Sequence, residues 1–292
     1  MIYDIRLAIS HTYAVPAGNG RHVLRVLPRV LRNRQRVTAH LVEALPVPDE
    51  RLDGIDFFGN SQSTITQRDP HKTMTIRMSS RVEVTAPPAF DGLRIGVPAL
   101  QQVLYAHQSV APSSPLHFLG PSPRLSADRN IAEFAQKVVS PGTSVRDHVE
   151  AVGRALYERI TFDAAATTVD TDASEAFAQR RGVCQDLSHI MILALQSLGI
   201  PAGYVSGYLR TLPPPGGVKL EGVDAMHAWV SAWCGPAEGW VEYDPTNATF
   251  IGTDHIVVGF GRDYSDVSPV IGRLRSSGEQ VHSQSVDVAV LD

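Results

Sequence analysis

The sequence predicts an α+β fold: a β-rich front half, then helices, then an antiparallel sheet. Three observations carry that expectation. Apolar and polar residues alternate through much of residues 1–85. Spacing of three and four then takes over in "TSVRDHVEAVGRALYERI" and "CQDLSHIMILALQSLG". Alternation returns in three short runs, "GYVSGYL", "HAWVSAW" and "GWVEYDP".

In "YDIRLAISHTY" Ile5, Leu7 and Ile9 fall on one face and Arg6, Ala8 and Ser10 on the other, the pattern of a half-buried strand. "VTAHLVEALPVP" and "HKTMTIRMSSRVEVTAP" alternate similarly, and "DGIDFFGN" between them has the Gly and Asn of a turn. Residues 1–85 are therefore expected as an N-terminal β-rich domain. Residues 86–126, rich in Pro and Ser, read as a connector with one short helix near Val97 to Tyr105. Residues 127–292 read as a second domain that includes the C-terminal strands. Its first helix carries Val145, Val149, Val152, Leu156 and Ile160 as one stripe, with Ser144 and Asp147 placed as a capping box. A polar, acidic loop, "DAAATTVDTDASE", leads to a helix with Leu187, Met191, Ala194 and Leu198 on one face, stopped by Gly199 and Pro201.

With 292 residues, 43% hydrophobic and 19% charged, the chain has the composition of an ordinary globular protein large enough for two cores. Its net charge of −4 argues against a nucleic-acid partner. No apolar run approaches the roughly 20 residues that span a bilayer, so no membrane role is expected. Asp4 and Arg6 interrupt the place where a signal peptide would carry its apolar stretch. Two cysteines make no disulfide framework, and a reducing cytoplasm is the expected location.

One cysteine, Cys184, stands where the second helix begins. The first N–H groups of a helix lack intrahelical acceptors and carry partial positive charge, which favours a thiolate and makes the sulfur nucleophilic. Gly182 lets the chain turn sharply just before it. A free cysteine is commonly just a small buried apolar residue, so partners decide the matter. A thiolate nucleophile needs an imidazole, and the imidazole needs an orienting acceptor. His227 starts the second of the three strands and Asp244 ends the third. With Trp233 opposite Glu238, His227 faces Asp244, their Cβ atoms about 5 Å apart. A register shifted by two leaves them diagonal neighbours. Pro245 holds Asp244 in extended backbone.

"GVCQDLSH", "GIPAGYVSGYL", "HAWVSAW" and "GWVEYDPTN", in that order, resemble the bacterial transglutaminase-like cysteine enzymes. The tail "HIVVGFGRDYSDVSPVIG" resembles the two-domain branch of that family, and "SHTYAVPAGNGRHVLRVLPR" with "DFFGN" resembles its N-terminal β domain. The resemblance implies a papain-like core in which Cys184 is the nucleophile, His227 the general base and acid, and Asp244 the orienting residue. Animal transglutaminases place a tryptophan before the catalytic cysteine to stabilise the oxyanion; here Trp229, Trp233 and Trp240 all follow Cys184. That absence favours hydrolysis of an amide or peptide bond through a thioester over transfer to an amine, and the presence of all three triad members argues against a non-catalytic binding role. Gln179 and Gln185 are candidates for the second oxyanion donor, and Asp186 and Trp229 for the rim of the site.

No cofactor and no metal are expected. Cys184, Asp186 and His189 could each ligate zinc, but no second Cys/His pair stands at finger-like spacing. Cys234 is read as incidental. The arginines of "RHVLRVLPRVLRNRQR" are read as the border of a strand and loop rather than as a docking patch for an acidic partner. "LPPPGGVKLEG", residues 212–222, reads equally as a lid or specificity loop and as a disordered bystander.

Overall fold

The computed structural model describes residues 1–211 and 226–291. Five strands come first: β1 (Ile2–Leu24), β2 (Gln35–Leu45), β3 (Glu50–Ile55), β4 (Ser61–Gln67) and β5 (His71–Val84). Helices α1 (Val97–Ala106), α2 (Arg129–Val138) and α3 (Val145–Arg159) follow. Two-residue strands β6 (Thr161–Phe162) and β7 (Arg181–Gly182) flank α4 (Ala173–Gln179), and α5 (Cys184–Ser197) comes next. The second sheet is built from β8 (Ala202–Leu209), β9 (Met226–Trp233), β10 (Trp240–Asp244), β11 (Thr249–Phe250) and β12 (His255–Gly261). A single turn, α6 (Tyr264–Val267), leads to β13 (Val270–Arg275) and β14 (Gln280–Leu291).

The mixed helix and sheet content is that of the α+β class. β1 organises the first sheet, in the order β2-β5-β1-β4-β3. Tyr3, Ile5, Leu7 and Ile9 alternate inward and are buried, as the sequence pattern requires. Between Thr12 and Ala17 the pairing of β1 with β5 shifts register, and beyond that break β1 pairs with β4 instead. β3 and β4 fall where the sequence suggested only turns; β4 buries alternate residues, Ser63, Ile65 and Gln67, while β3 is exposed along its whole length. The expected tight turn is present between them, with Asp56 N–H donating to Asn60 O and Gly59 N–H to Asp56 O.

The end of the chain departs from expectation. β13 and β14 do not extend the second sheet; both run antiparallel to β1, β14 from Ile2↔Leu291 to Tyr13↔Gln280. Val286 and Val288 of β14 are buried in the first domain's core. The alternation that marks a strand says nothing about which sheet receives it.

The second sheet has the order β11-β10-β9-β8-β12. α5 lies against it with every residue from Gln185 to Leu195 buried, as a helix enclosed on all sides must be. α2, α3 and α4 close over its outer face; α2 and α4 were not legible in the polar sequence around them. α3 carries the expected capping box, Ser144 Oγ accepting from Asp147 N–H and Asp147 Oδ2 from Ser144 N–H.

The two sheets share a core. Tyr208 of β8 and Ile256 and Val258 of β12 are buried among the first domain's apolar residues. Side-chain amides of the first domain then serve the outer edge of β12. Gln35 donates to Val257 O at 2.7 Å and accepts Val257 N–H at 2.8 Å. Asn60 does the same to Phe260, at 2.7 and 2.8 Å. An edge strand's free backbone groups are thus paired inside the molecule.

Helix α3 supports β10 at Gly153, where an added Cβ would lie 2.1 Å from the ring of buried Tyr243. Alanine gains helix propensity worth about 1 kcal/mol. The ring cannot yield, so overpacking should win and Gly153→Ala should destabilise the fold by about 1–3 kcal/mol. Denaturant midpoints measure this; an unchanged or raised midpoint would show that α3 and β10 are not in the contact described.

Candidate active site

Cys184 is the first residue of α5 and is half-buried. Val183 before it is extended, and its N–H donates to Asp186 Oδ2 at 2.8 Å; the hydroxyl of Thr167 donates to the same oxygen at 2.6 Å. Asp186 therefore ties down the helix start from within the fold. It is 1% exposed, so it is not part of the rim. Burial pushes its carboxyl above the usual carboxylate range, against those two hydrogen bonds. Gly182 is required for a different reason than a sharp turn. A Cβ there would stand 2.7 Å from Asp186 Oδ2, so glycine permits the close approach, while Arg180 takes the left-handed turn at φ 56°.

β9 and β10 bring the other two residues together. Trp240 pairs with Trp233 and Glu242 with Ser231, two positions away from the directly opposed register. The connection closes as Cys234 N–H to Gly239 O and Gly239 N–H to Gly235 O, a longer turn than the direct register needs. His227 and Asp244 are accordingly diagonal neighbours, and the long imidazole spans the gap. Its Nε2 lies 2.8 Å from Asp244 Oδ2. A carboxylate only accepts, so Nε2 carries the proton and Nδ1 is left for the Cys184 sulfur, which lies close enough to act electrostatically on the ring. Burial alone would lower the His227 pKa. The hydrogen bonds and charges of Asp244 and Cys184 overcome it and raise the pKa to about 10.

Asp244 is wholly buried. Its Oδ1 accepts Thr246 N–H at 2.8 Å and Asn247 N–H at 3.2 Å; its Oδ2 accepts Asn247 Nδ2 at 2.7 Å, His227 Nε2 and His255 Nε2 at 3.2 Å. These donors hold the carboxyl well below the usual range although burial opposes them. His255 escaped the sequence reading. Its only signal was its position at the start of the alternating run "HIVVGFG". Gly252 N–H points at its Nδ1 at 3.4 Å, which leaves Nε2 as the donor to Asp244. Ligand atoms of His227, Asp244 and His255 lie within 4.8 Å of one another, the spacing of a metal site. The proton positions give each of those atoms a hydrogen-bonding role without an ion.

Trp229, expected at the rim, is fully buried beneath the histidines. Its ring centroid is 5.3 Å from that of His255 and 6.1 Å from that of His227. Its indole N–H donates to Glu242 Oε2 at 2.7 Å, and Glu242 is gripped by both terminal nitrogens of Arg34 from the first domain. Glu242 is thereby engaged and does not replace Asp244.

The two glutamines are occupied elsewhere. Gln179 Nε2 donates to Glu175 at 2.8 Å on the surface of α4, and Gln185 Nε2 donates to Val169 O at 3.1 Å. Neither amide is presented to the sulfur. Tyr204 of β8, not singled out from sequence, is buried with its hydroxyl in the field of Cys184; burial first, then that charge, keeps the phenol protonated well above its ordinary range. His189 accepts Tyr264 N–H at 3.2 Å and burial lowers its pKa to about 4, so it is a neutral acceptor. Cys234 is buried and its thiol is pushed up to about 12 by burial and by Glu238. Residues 212–222, where lid, specificity loop and bystander are alternatives, lie outside the described residues.

Because the His227 pKa is raised, its ionisation stabilises the fold fully below the free value of 6.5 and ceases to do so as pH rises through about 10. The ring protons of His227 should therefore titrate near 10 by NMR, and at lower pH in both Cys184→Ala and Asp244→Asn. Titration near 6.5 in the native chain would dissolve the ion pair.

Comparison with known proteins follows the same division of the chain. Residues 132–245 match the transglutaminase-like superfamily, and residues 3–83 match the bacterial transglutaminase-like N-terminal region. The uncharacterised protein Rv2569c of Mycobacterium tuberculosis is 37% identical over 261 residues, covering 87% of this chain and 82% of its own. The uncharacterised protein ML0607 of Mycobacterium leprae is 33% identical over 272 residues, covering 92% and 91%. A crystal structure from Cytophaga hutchinsonii, provisionally named a cysteine protease, superposes with a TM-score of 0.76 at 20% identity, over all of this chain and 91% of that one. That likeness extends to the fold. With sequence, fold and the two matched regions in agreement, the chain belongs to the bacterial branch of the transglutaminase-like superfamily.

Proposed function

We propose that this chain is a cysteine hydrolase of amide or peptide bonds, with Cys184 as nucleophile, His227 as general acid and base, and Asp244 as orienting residue. The observation that carries the reading is the hydrogen bond of His227 to buried Asp244, with Cys184 at the start of α5 close enough to act on the same imidazole. A charged imidazole beside the sulfur supplies the proton that the leaving amine needs. The thiolate attacks the carbonyl carbon, and His227 gives its Nδ1 proton to the departing amine as the C–N bond breaks. A thioester remains. Water then attacks it, His227 taking one proton, and the acid leaves as the thiolate re-forms. The Cys184 backbone N–H at the helix start is a donor to the oxyanion.

Water is favoured as acceptor because two of the three indole donors are spent elsewhere. Trp229 donates to Glu242 and Trp240 to Ser113 O. Of the two aromatic residues between Thr161 and Gly182, Phe177 is buried in the core and Phe162 stands 58% exposed. No aromatic wall from that stretch shields a thioester. The cytoplasmic location expected from cysteine usage belongs to this proposal too; among the described residues no helix is long and apolar enough to cross a membrane.

Iodoacetamide at pH 6 should label Cys184 quickly and leave Cys234 untouched, since the latter is buried with its thiol near 12. Peptide and amide libraries should be turned over by native protein and by Cys234→Ser but not by Cys184→Ala. Equal, slow labelling of both thiols would remove the nucleophile assignment.

With an acyl donor in hand, a saturating lysine derivative decides the acceptor. Free acid should predominate over the amine adduct. An excess of adduct would make the enzyme a transferase instead.

A further inference from the structure

Between the first domain and the face of the second sheet lies a cavity of about 600 Å³, a volume suited to a small ligand. Its walls include Phe57, Phe118, Trp240 and Phe260, and it contains neither Cys184, His227 nor Asp244. Arg29, Arg32 and Arg34 also line it, together with Asp56 and Glu242. The charges do not cancel locally. Glu242 is held by Arg34, and Asp56 by Arg25 and Asn60, all at hydrogen-bond distance. Arg29 has no ion-pair partner among the described residues. Its guanidinium donates once among the described residues, to Asn60 Oδ1 at 2.7 Å, and stands 5.1 Å over the ring of Phe260. Arg32, exposed, likewise has no ion pair among the described residues.

A half-buried guanidinium with unused donors in an aromatic cavity is costly unless something anionic completes it. Its planar fork fits a carboxylate, and the rings fit an apolar body beside it. We propose that this cavity is a binding site for a small organic carboxylate with an apolar, preferably aromatic, body, held by Arg29 with Arg32 at the rim. The ligand's source is either a free acid or the C-terminal carboxylate of a peptide. The site gives a purpose to two stretches that the catalytic reading leaves unused, the arginine run and "DFFGN". It also stands independent of the chemistry assigned to Cys184.

The test uses the full chain as Cys184→Ala, so that no turnover intervenes. The probes are phenylacetate, phenylacetamide and N-acetyl-leucyl-phenylalanine, followed by the indole N–H resonance of Trp240, a wall of the cavity. At least one acid should shift that resonance saturably and the neutral amide should not. Response to both acids or to phenylacetate alone assigns a free acid; response to the dipeptide alone assigns a peptide C-terminus. Arg29→Met should weaken binding about tenfold or more, the worth of a charge-assisted pair. Arg32→Gln and Phe57→Ala, at exposed positions that cannot unfold the chain, should each weaken it severalfold. The proposal is overturned if neither acid moves the resonance, if the amide binds as well as the acid, or if binding is indifferent to all three substitutions.

Discussion

Asp244 is an ionised carboxylate with no access to water, and such a group survives only when donors replace its hydration. It has five. Two come from the backbone of the turn that Pro245 starts, one from Asn247, and one from each of two histidines. Each donor comes with a structural requirement. The turn must follow β10 immediately, β9 must end its partner strand at His227, and β12 must bring His255 alongside. Satisfying the carboxylate therefore fixes the relative positions of three strands. The geometry offered to Cys184 is a by-product of that constraint.

The first domain takes part in the same arrangement. Gln35 and Asn60 complete the backbone pairing of β12, the strand that carries His255. Arg34 holds Glu242, Glu242 holds the indole of Trp229, and Trp229 packs against both histidines. Arg34 and Glu242 are a largely buried pair, with side chains 18% and 5% exposed, and removing either would strand the other away from water. The return of β13 and β14 to β1 draws the two halves of the chain together at the opposite end. Neither sheet is an accessory to the other, because buried residues from both fill one core.

Cys184 and Cys234 show how much environment decides. Both are free thiols in the same fold. Cys184 begins a helix beside an imidazole held in its charged form; Cys234 sits in the core where burial and Glu238 oppose ionisation. The two environments differ by position alone.

The sequence by itself determined the local elements whose signals are strong: the alternating strands, the amphipathic α3 with its capping box, the buried α5, and the cysteine at its start. It also determined which His and Asp could meet, since period and turn residues limit the registers of β9 and β10 to a few. It did not determine which register is adopted, because the turn after Cys234 closes through hydrogen bonds that no propensity encodes. Nor did it reveal His255, a partner distant in the chain, or the engagement of Gln179 and Gln185 with neighbours that folding supplies. The destination of the last strands was hidden for a related reason. Alternation states that a strand will bury one face, and only the tertiary structure, in matching that face to β1, decides where.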